Sequence, residues 1–335
     1  MIGEAKMNLP NPMPSESFDT PILIIFFHRA DVVAKVIESF RHLTPSRLFL
    51  ACDGPRPGND QDSIDVLQAR EMVDQLIDWP CSIEKRYSDI NQGTKYGPAN
   101  AITWFFSHVE EGIILEHDCL PHPSFFSYCE SLLSRYRHDT RVWQISGNNY
   151  VEDQAPTEFS YFFSGYSTTW GLATWRRCWQ AYDIDMKLWP QIRSSGQLAN
   201  AFKGQDELKY WTGIWDRLTQ DNYPTTWDYQ WNFTCFANGG LSAIPRVNLV
   251  SNIGFGEGAT YCLNEDDAHA RLQTSDLGGL IHPQLVLRDW SQDRAIFDDL
   301  INSGRTKPSA AQELFLKIYW TSRGIANRLR LIRAS

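Results

Sequence analysis

The stretch GIILEHDCLPHPSFF, Gly112 to Phe126, decides how the rest of this chain is read. Its apolar run Ile113–Leu115 is short, rich in β-branched residues and flanked by Gly112 and by charge, which predicts a buried strand. The strand empties into Glu116, His117 and Asp118. Pro121, Pro123 and Ser124 then lead into a helix carrying Phe125, Phe126, Tyr128, Leu132 and Leu133. Open α/β sheets place their ligands at the carboxyl ends of strands. Hard cations such as Mg2+ or Mn2+ take oxygen ligands, often one or two carboxylates plus substrate phosphates. The expectation is that Asp118 holds such a cation beneath a nucleotide diphosphate. Taken alone, the three residues read equally as a solvated strand end.

Upstream the same alternation repeats. Ile22–Phe27 is an apolar strand that runs into His28-Arg29-Ala30, and Asp31 is placed to cap a helix with Val33, Ile37 and Phe40 on one face. A strand at Leu48–Cys52 ends at Asp53-Gly54-Pro55, with turn residues Pro57 to Asp60 beyond it. A helix over Ser63–Ile77, a strand over Ile83–Tyr87, a loop around Asn91 to Pro98 and a helix over Ala99–Val109 complete a β-α-β-α-β-α-β series. Short connections of this kind predict a parallel α/β sheet. No strand is followed by GxGxxG or GxxxxGK[ST], which argues against dinucleotide-dependent dehydrogenases and P-loop enzymes. Arg29, Asp53 and the Glu116–Asp118 cluster would share one carboxyl edge and outline a nucleotide cleft, although an Asp-Gly pair after a strand is more often only a turn.

From Val142 the pattern changes. A strand over Val142–Ser146 precedes a region crowded with tryptophan: Trp143, Trp170, Trp175, Trp179, Trp189, Trp211, Trp215, Trp227 and Trp231. Aromatic faces suit the apolar face of a pyranose, but most of these rings are expected in the core. Trp170 and Gly171, in the loop STTWGLATW, are the better candidates for ligand contact. In TTWDYQWNF, Asp228 lies between aromatic residues and reads either as a general base or as a helix N-cap. The segment NLVSNIGFGEGATY has glycines at 254, 256 and 258 and predicts a loop able to close over a ligand, with Glu257 a second candidate base.

These residues in combination resemble metal-dependent glycosyltransferases of the GT-A fold, most nearly N-acetylglucosaminyltransferase I and related bacterial sugar transferases. In that family a strand ends in Glu-Asp-Asp ahead of a proline and a Phe-Phe helix, and EHDCLPHPSFFSYCESLL has that layout. The resemblance covers about residues 20 to 262. It implies an α/β fold of GT-A type, with a nucleotide-sugar half over 20–145 and an acceptor half over 146–262. It also implies Mn2+ or Mg2+ on Asp118, and a nucleoside contacted by Arg29, Asp53 and Glu116. Asp228 would be the catalytic base. The implied reaction is transfer, with inversion, of a hexosyl or N-acetylhexosaminyl group. The donor is a nucleotide-diphosphate sugar, UDP-sugar favoured, and the acceptor a hydroxyl of a glycan or glycolipid. His117 replaces the family's middle acid, which helps hold the ribose, so nucleotide contacts there differ. Ala259-Thr260-Tyr261 stands where relatives often carry histidine, leaving His269 or His282 as substitutes. Rival readings are a sugar nucleotidyltransferase, against which HRAD lacks a glycine-rich basic loop, and a catalytically silent sugar- or nucleotide-binding protein, for which His117 argues.

Bulk properties fit these expectations. The chain has 335 residues and a net charge of −9, which argues against nucleic acid as a partner. Seven cysteines at scattered spacings, without a CxxC pair, suit a reducing cytoplasm. Residues 1–19 form a polar, proline-rich lead-in without the apolar core of a secretory signal. The extension 263–335 ends in a basic helix with Phe315, Ile318, Ile325, Leu329 and Ile332 at helical spacing. That helix could touch the inner face of a membrane, or simply pack on the domain with its arginines in solvent.

Overall fold

A computed structural model of the chain describes residues 18–152, 157–220, 226–256 and 268–302. Glu257, the Ala259–Tyr261 segment, nearly all of the lead-in and the basic C-terminal helix lie outside these residues.

The first half alternates as its sequence predicts. Strand β1 (Ile22–Phe26) is followed by α1 (Ala30–Phe40), β2 (Arg47–Cys52), α2 (Asp60–Leu76), β3 (Ser82–Tyr87), α3 (Gly93–His108) and β4 (Glu111–Glu116). The strands form part of one eight-stranded sheet in which β3, β2, β1 and β4 are neighbours in that order, all parallel. β1 and β2 are almost wholly buried, as their unbroken apolar runs require of strands covered on both faces. β3 is the outer edge and its SIEKRY sequence is largely exposed; charge on an edge strand discourages further pairing.

After β4 come β5 (Cys119–Pro121), α4 (Ser124–Tyr136), β6 (Val142–Ser146), β7 (Tyr161–Ser164), β8 (Leu172–Trp175), the short α5 (Arg176–Trp179) and α6 (Trp189–Ser195), α7 (Gln205–Leu218), α8 (Asp228–Ala237), β9 (Leu241–Pro245), β10 (Val250–Asn252) and α9 (Trp290–Asn302). The sheet continues β4-β8-β6-β9-β7. Here β6 and β9 are parallel, while β8 runs against both β4 and β6, and β7 against β9. The second half is therefore more antiparallel than the alternating first half implies. Among the described residues no helix separates β6 from β7 to carry the chain back across the sheet. The expectation of an α/β architecture with a mostly parallel central sheet and flanking helices holds. The alternating first half and the tryptophan-rich second half meet in this one sheet.

Two local expectations need correction. Asp31 does not cap α1: Arg29 occupies the N-cap position, no side chain caps it, and Asp31 lies inside the first turn. Helix α3 begins at Gly93 rather than Ala99, with Pro98 inside it. The cause is Asp53, whose carboxylate accepts hydrogen bonds from the Gln92 and Gly93 amides, which α3 leaves unpaired at its start.

A small antiparallel pair, β5 with β10, sets Cys119 opposite Asn252 and Pro121 opposite Val250. It lies directly beyond the end of β4 and joins residues 119–121 to the glycine-bearing segment after Asn252.

Candidate active site

In the order β3-β2-β1-β4 the chain reverses direction of travel between β1 and β4. Open α/β sheets form their ligand crevice at such a switch point, outside the carboxyl ends of the strands. β1 delivers His28 and Arg29 there, and β4 delivers Glu116, His117 and Asp118. The His117 amide donates to the Ile25 carbonyl at 2.8 Å, locking the two strand ends together. All three β4-end side chains are partly buried.

Helix α8 supplies the third acid. Trp227 and Trp231, four residues apart, share one face of its N-terminal half. Trp231 Nε1 donates to Gln144 Oε1 at 2.6 Å, and Gln144 Nε2 in turn donates to the Thr168 carbonyl and to Ser146 Oγ. Trp227 Nε1 donates to Glu116 Oε1 at 2.9 Å across 111 residues of sequence. Tyr182, stacked on Trp179 at 4.2 Å, donates its hydroxyl to the Trp227 carbonyl. These contacts fix the start of α8 against the end of β4, which carries Asp228 to the cluster. Asp228 Oδ1 accepts from the Tyr229 amide and from the Thr226 hydroxyl. The N-cap reading of Asp228 needs correction: Trp227 holds the N-cap position of α8 without a side-chain cap, and Asp228 is the first residue inside the helix, where negative charge is favoured and from where its charge reaches Glu116.

Burial and the crowding of negative charge both act on Glu116. Burial pushes its carboxyl up to about 8, and the charges of Asp118 and Asp228 add to the rise, while the Trp227 hydrogen bond opposes it. His117 is pushed down, first by burial and then by the Arg29 charge, against the opposing pull of Asp118 and Asp31. Its imidazole is therefore neutral near pH 7 and can donate or accept one hydrogen bond at each nitrogen.

The donor set suits a hard cation. Its groups are carboxylate oxygens, and their mutual repulsion is relieved by a divalent charge. Among the described residues no three His, Cys, Asp or Glu side chains make a ready-made cage. A cation here would complete its shell with phosphate oxygens and water, as Mg2+ habitually does.

Other expected contacts fall differently. Asp53 accepts four hydrogen bonds, from Gly54 N, Gln92 N, Gly93 N and Asn91 Nδ2, at 2.8–3.0 Å. A carboxylate has about four lone-pair positions, so Asp53 is a clamp on the start of α3 and has none left for a nucleobase. Gly171 is buried at φ +64°, its carbonyl bound by the Gly147 amide, and a Cβ would meet Val250 Cγ2 at 2.9 Å. It shapes the chain at the entry to β8. Arg29 donates from Nη1 to the Gly254 carbonyl. Trp170 remains partly exposed, in edge-to-face contact with Tyr150 and Phe255. Seven of the nine tryptophans named from sequence are buried, leaving only Trp143 and Trp170 with partial access, so packing accounts for most of them. Both histidine alternatives have partners of their own. His269 is held by Asp299 at 2.8 Å, and His282 Nδ1 pairs with the Tyr161 hydroxyl.

Sequence reasoning missed Tyr182, Asn252 and the Arg29–Gly254 contact. Tyr182 carries a faint signal in its position three residues after Trp179. The Arg29–Gly254 contact spans 225 residues and leaves no local trace.

No protein-family model matches the chain, and comparison with curated proteins gives no match. Among solved structures it is similar to a mannosyltransferase from Pyrobaculum calidifontis in complex with GDP-Man and Mn2+, at TM-score 0.34 and 13% identity over 52% of this chain and 50% of that one. It is also similar to a cytidylyltransferase from Leptospira borgpetersenii, at TM-score 0.31 and 9% identity over 53% of this chain and 73% of that one. A UDP-glucose pyrophosphorylase complexed with UDP-glucose overlaps at TM-score 0.28 and 10% identity, over 49% of this chain and 79% of that one. The chain spans about half the length of the mannosyltransferase, and the functional case therefore rests on the residues themselves.

Proposed function

We propose that this chain is a metal-dependent glycosyltransferase that moves a sugar from a nucleotide-diphosphate donor to an acceptor hydroxyl, with inversion. UDP-sugars are the favoured donors and a glycan or glycolipid the favoured acceptor class. The observation that carries the reading is the convergence of Asp118, Glu116 and Asp228 at the switch point, through the Trp227–Glu116 hydrogen bond.

The reaction poses two electrostatic problems: negative charge grows on the leaving diphosphate, and the acceptor hydroxyl must lose a proton. A divalent cation, when bound, neutralises the diphosphate and orients it. Asp118 would hold it. Glu116, protonated near neutrality without a cation, becomes a counter-charge once one is present. Asp228 takes the acceptor proton as the hydroxyl oxygen attacks the anomeric carbon, and the bond to the diphosphate oxygen breaks with its electron pair. Trp227, held by Glu116 and Tyr182, keeps base and metal acid in fixed relation. Trp170 lines the approach. His117 stands where a ribose-binding acid is expected, so the ribose contact passes from a charged acceptor to a neutral imidazole.

The test separates transferase chemistry from nucleotidyl transfer by its products. Incubation with UDP- and GDP-sugars and Mn2+ should release nucleoside diphosphate, slowly to water and faster with acceptor. Release of pyrophosphate from a nucleoside triphosphate and a sugar phosphate, with no diphosphate from sugar nucleotides, would identify a nucleotidyltransferase instead. A chain that binds sugar nucleotides and turns none over would be the silent binder.

A further inference from the structure

The segment just after β10 is packed against Asp118 more closely than a mobile lid would be. The Ile253 amide donates to the Asp118 carbonyl at 2.8 Å, extending the β5–β10 ladder by one rung. The Gly254 amide donates to Asn252 Oδ1 at 2.7 Å. The Gly254 carbonyl accepts from Arg29 Nη1 at 2.9 Å. A Cβ on Gly254 would lie 2.3 Å from Asp118 Oδ2 and 2.7 Å from Asp118 Cβ, so the bare glycine backbone forms the wall of the Asp118 side chain. Three strand ends far apart in sequence therefore meet in series: Arg29 after β1 holds the Gly254 carbonyl, and Gly254 after β10 packs on the Asp118 side chain after β4.

From this geometry we infer that Arg29 is a positioning residue, which orients Asp118 indirectly by pinning Ile253–Gly254 against it. The inference rests on the transferase reading for what Asp118 does, but not for the pin itself. A short aspartate can occupy three staggered wells about χ1. The Gly254 backbone fills space into which the carboxylate would otherwise swing. Without the Arg29 donor the Gly254 carbonyl, which is on a buried residue, loses its partner, and the segment is free to draw away. Asp118 would then be ordered only at the expense of metal and diphosphate binding. This role differs from a direct contact between Arg29 and the nucleotide, and the alternative behaves differently on mutation.

Two measurements test it. The first needs no ligand: hydrogen exchange of the amides at 253–256 should quicken about tenfold in Arg29→Met relative to the unaltered chain, with β1 and β4 amides unchanged, and Arg29→Lys should restore part of the protection. Unchanged exchange in Arg29→Met would overturn the pin. The second is a double-mutant cycle on calorimetric binding of UDP and GDP, each with Mn2+. Arg29→Met should weaken binding about tenfold in the otherwise unaltered chain and little further in the Asp118→Ala background, because Arg29 acts through that carboxylate. Additive losses would show that Arg29 meets the nucleotide directly and would overturn the inference while leaving the transferase reading standing. Failure of the unaltered chain to bind either nucleotide with Mn2+ would remove the functional reading, and with it the role assigned to Asp118, whatever the exchange result.

Discussion

At the residue scale the site is a balance of charges. Asp228 sits at a helix start and takes hydrogen bonds from Thr226 and Tyr229, and in the proposed reaction it is the group that accepts the proton. Asp228→Asn keeps the shape and the N-terminal hydrogen bonding but removes the base. Transfer should fall about 100- to 10,000-fold while donor affinity stays within a factor of about three, which steady-state kinetics and calorimetry together would show. Glu116 makes a prediction about pH. Its carboxyl titrates at about 8 in the folded chain against 4.5 for an unperturbed glutamate, so the folded state holds a proton that the unfolded state has lost between those values. Stability without metal should therefore decline as pH rises from about 5 to 8. Thermal unfolding across that range should show the decline, Glu116→Gln should flatten it, and so should saturating Mn2+. Sequence made Asp118, Glu116 and Asp228 legible because acids next to apolar strands or between tryptophans are unusual. Asp53 looked the same from sequence, as a polar group at a strand end. Its partners are backbone amides, and amides have no sequence signature.

At the scale of elements, strands and helices of the first half were readable because each burial pattern is local: unbroken apolar runs for β1 and β2, an apolar stripe for α1. The start of α3 was not readable, since Asn91 to Pro98 is turn chemistry until Asp53 arrives from β2 to cap it. Asp53→Ala should leave the Gln92 and Gly93 amides without partners and cost about 2–3 kcal/mol of stability by denaturant unfolding, with nucleotide affinity little changed in the protein that remains folded. A loss of nucleotide affinity without loss of stability would return Asp53 to the nucleoside. β8 depends similarly on Gly171. A side chain there would face both a left-handed φ and the Val250 methyl, so Gly171→Ala should cost about 1–3 kcal/mol. The antiparallel insertion of β8 between β4 and β6 was hidden, because strand order beyond a regular β-α alternation depends on pairing partners distant in sequence.

For the whole molecule, Glu116 and Asp118 at the end of β4 meet Asp228 from α8, and one aromatic donor, Trp227, ties Glu116 to the start of that helix. Trp227 hydrogen-bonds Glu116, and Trp231 hydrogen-bonds the buried Gln144. The tryptophan-rich half is thus the frame that sets Asp228 against the end of β4. Among the described residues no helix is long and apolar enough to cross a membrane. The central claim is that Asp118 holds the cation that binds the donor diphosphate. Calorimetric titration of UDP and GDP, with and without Mn2+, into the unaltered chain and into Asp118→Ala tests it most directly. The account predicts binding that requires Mn2+ and that weakens in the variant by about 2–5 kcal/mol, thirtyfold or more. Equal affinity of the two proteins in Mn2+ would contradict it.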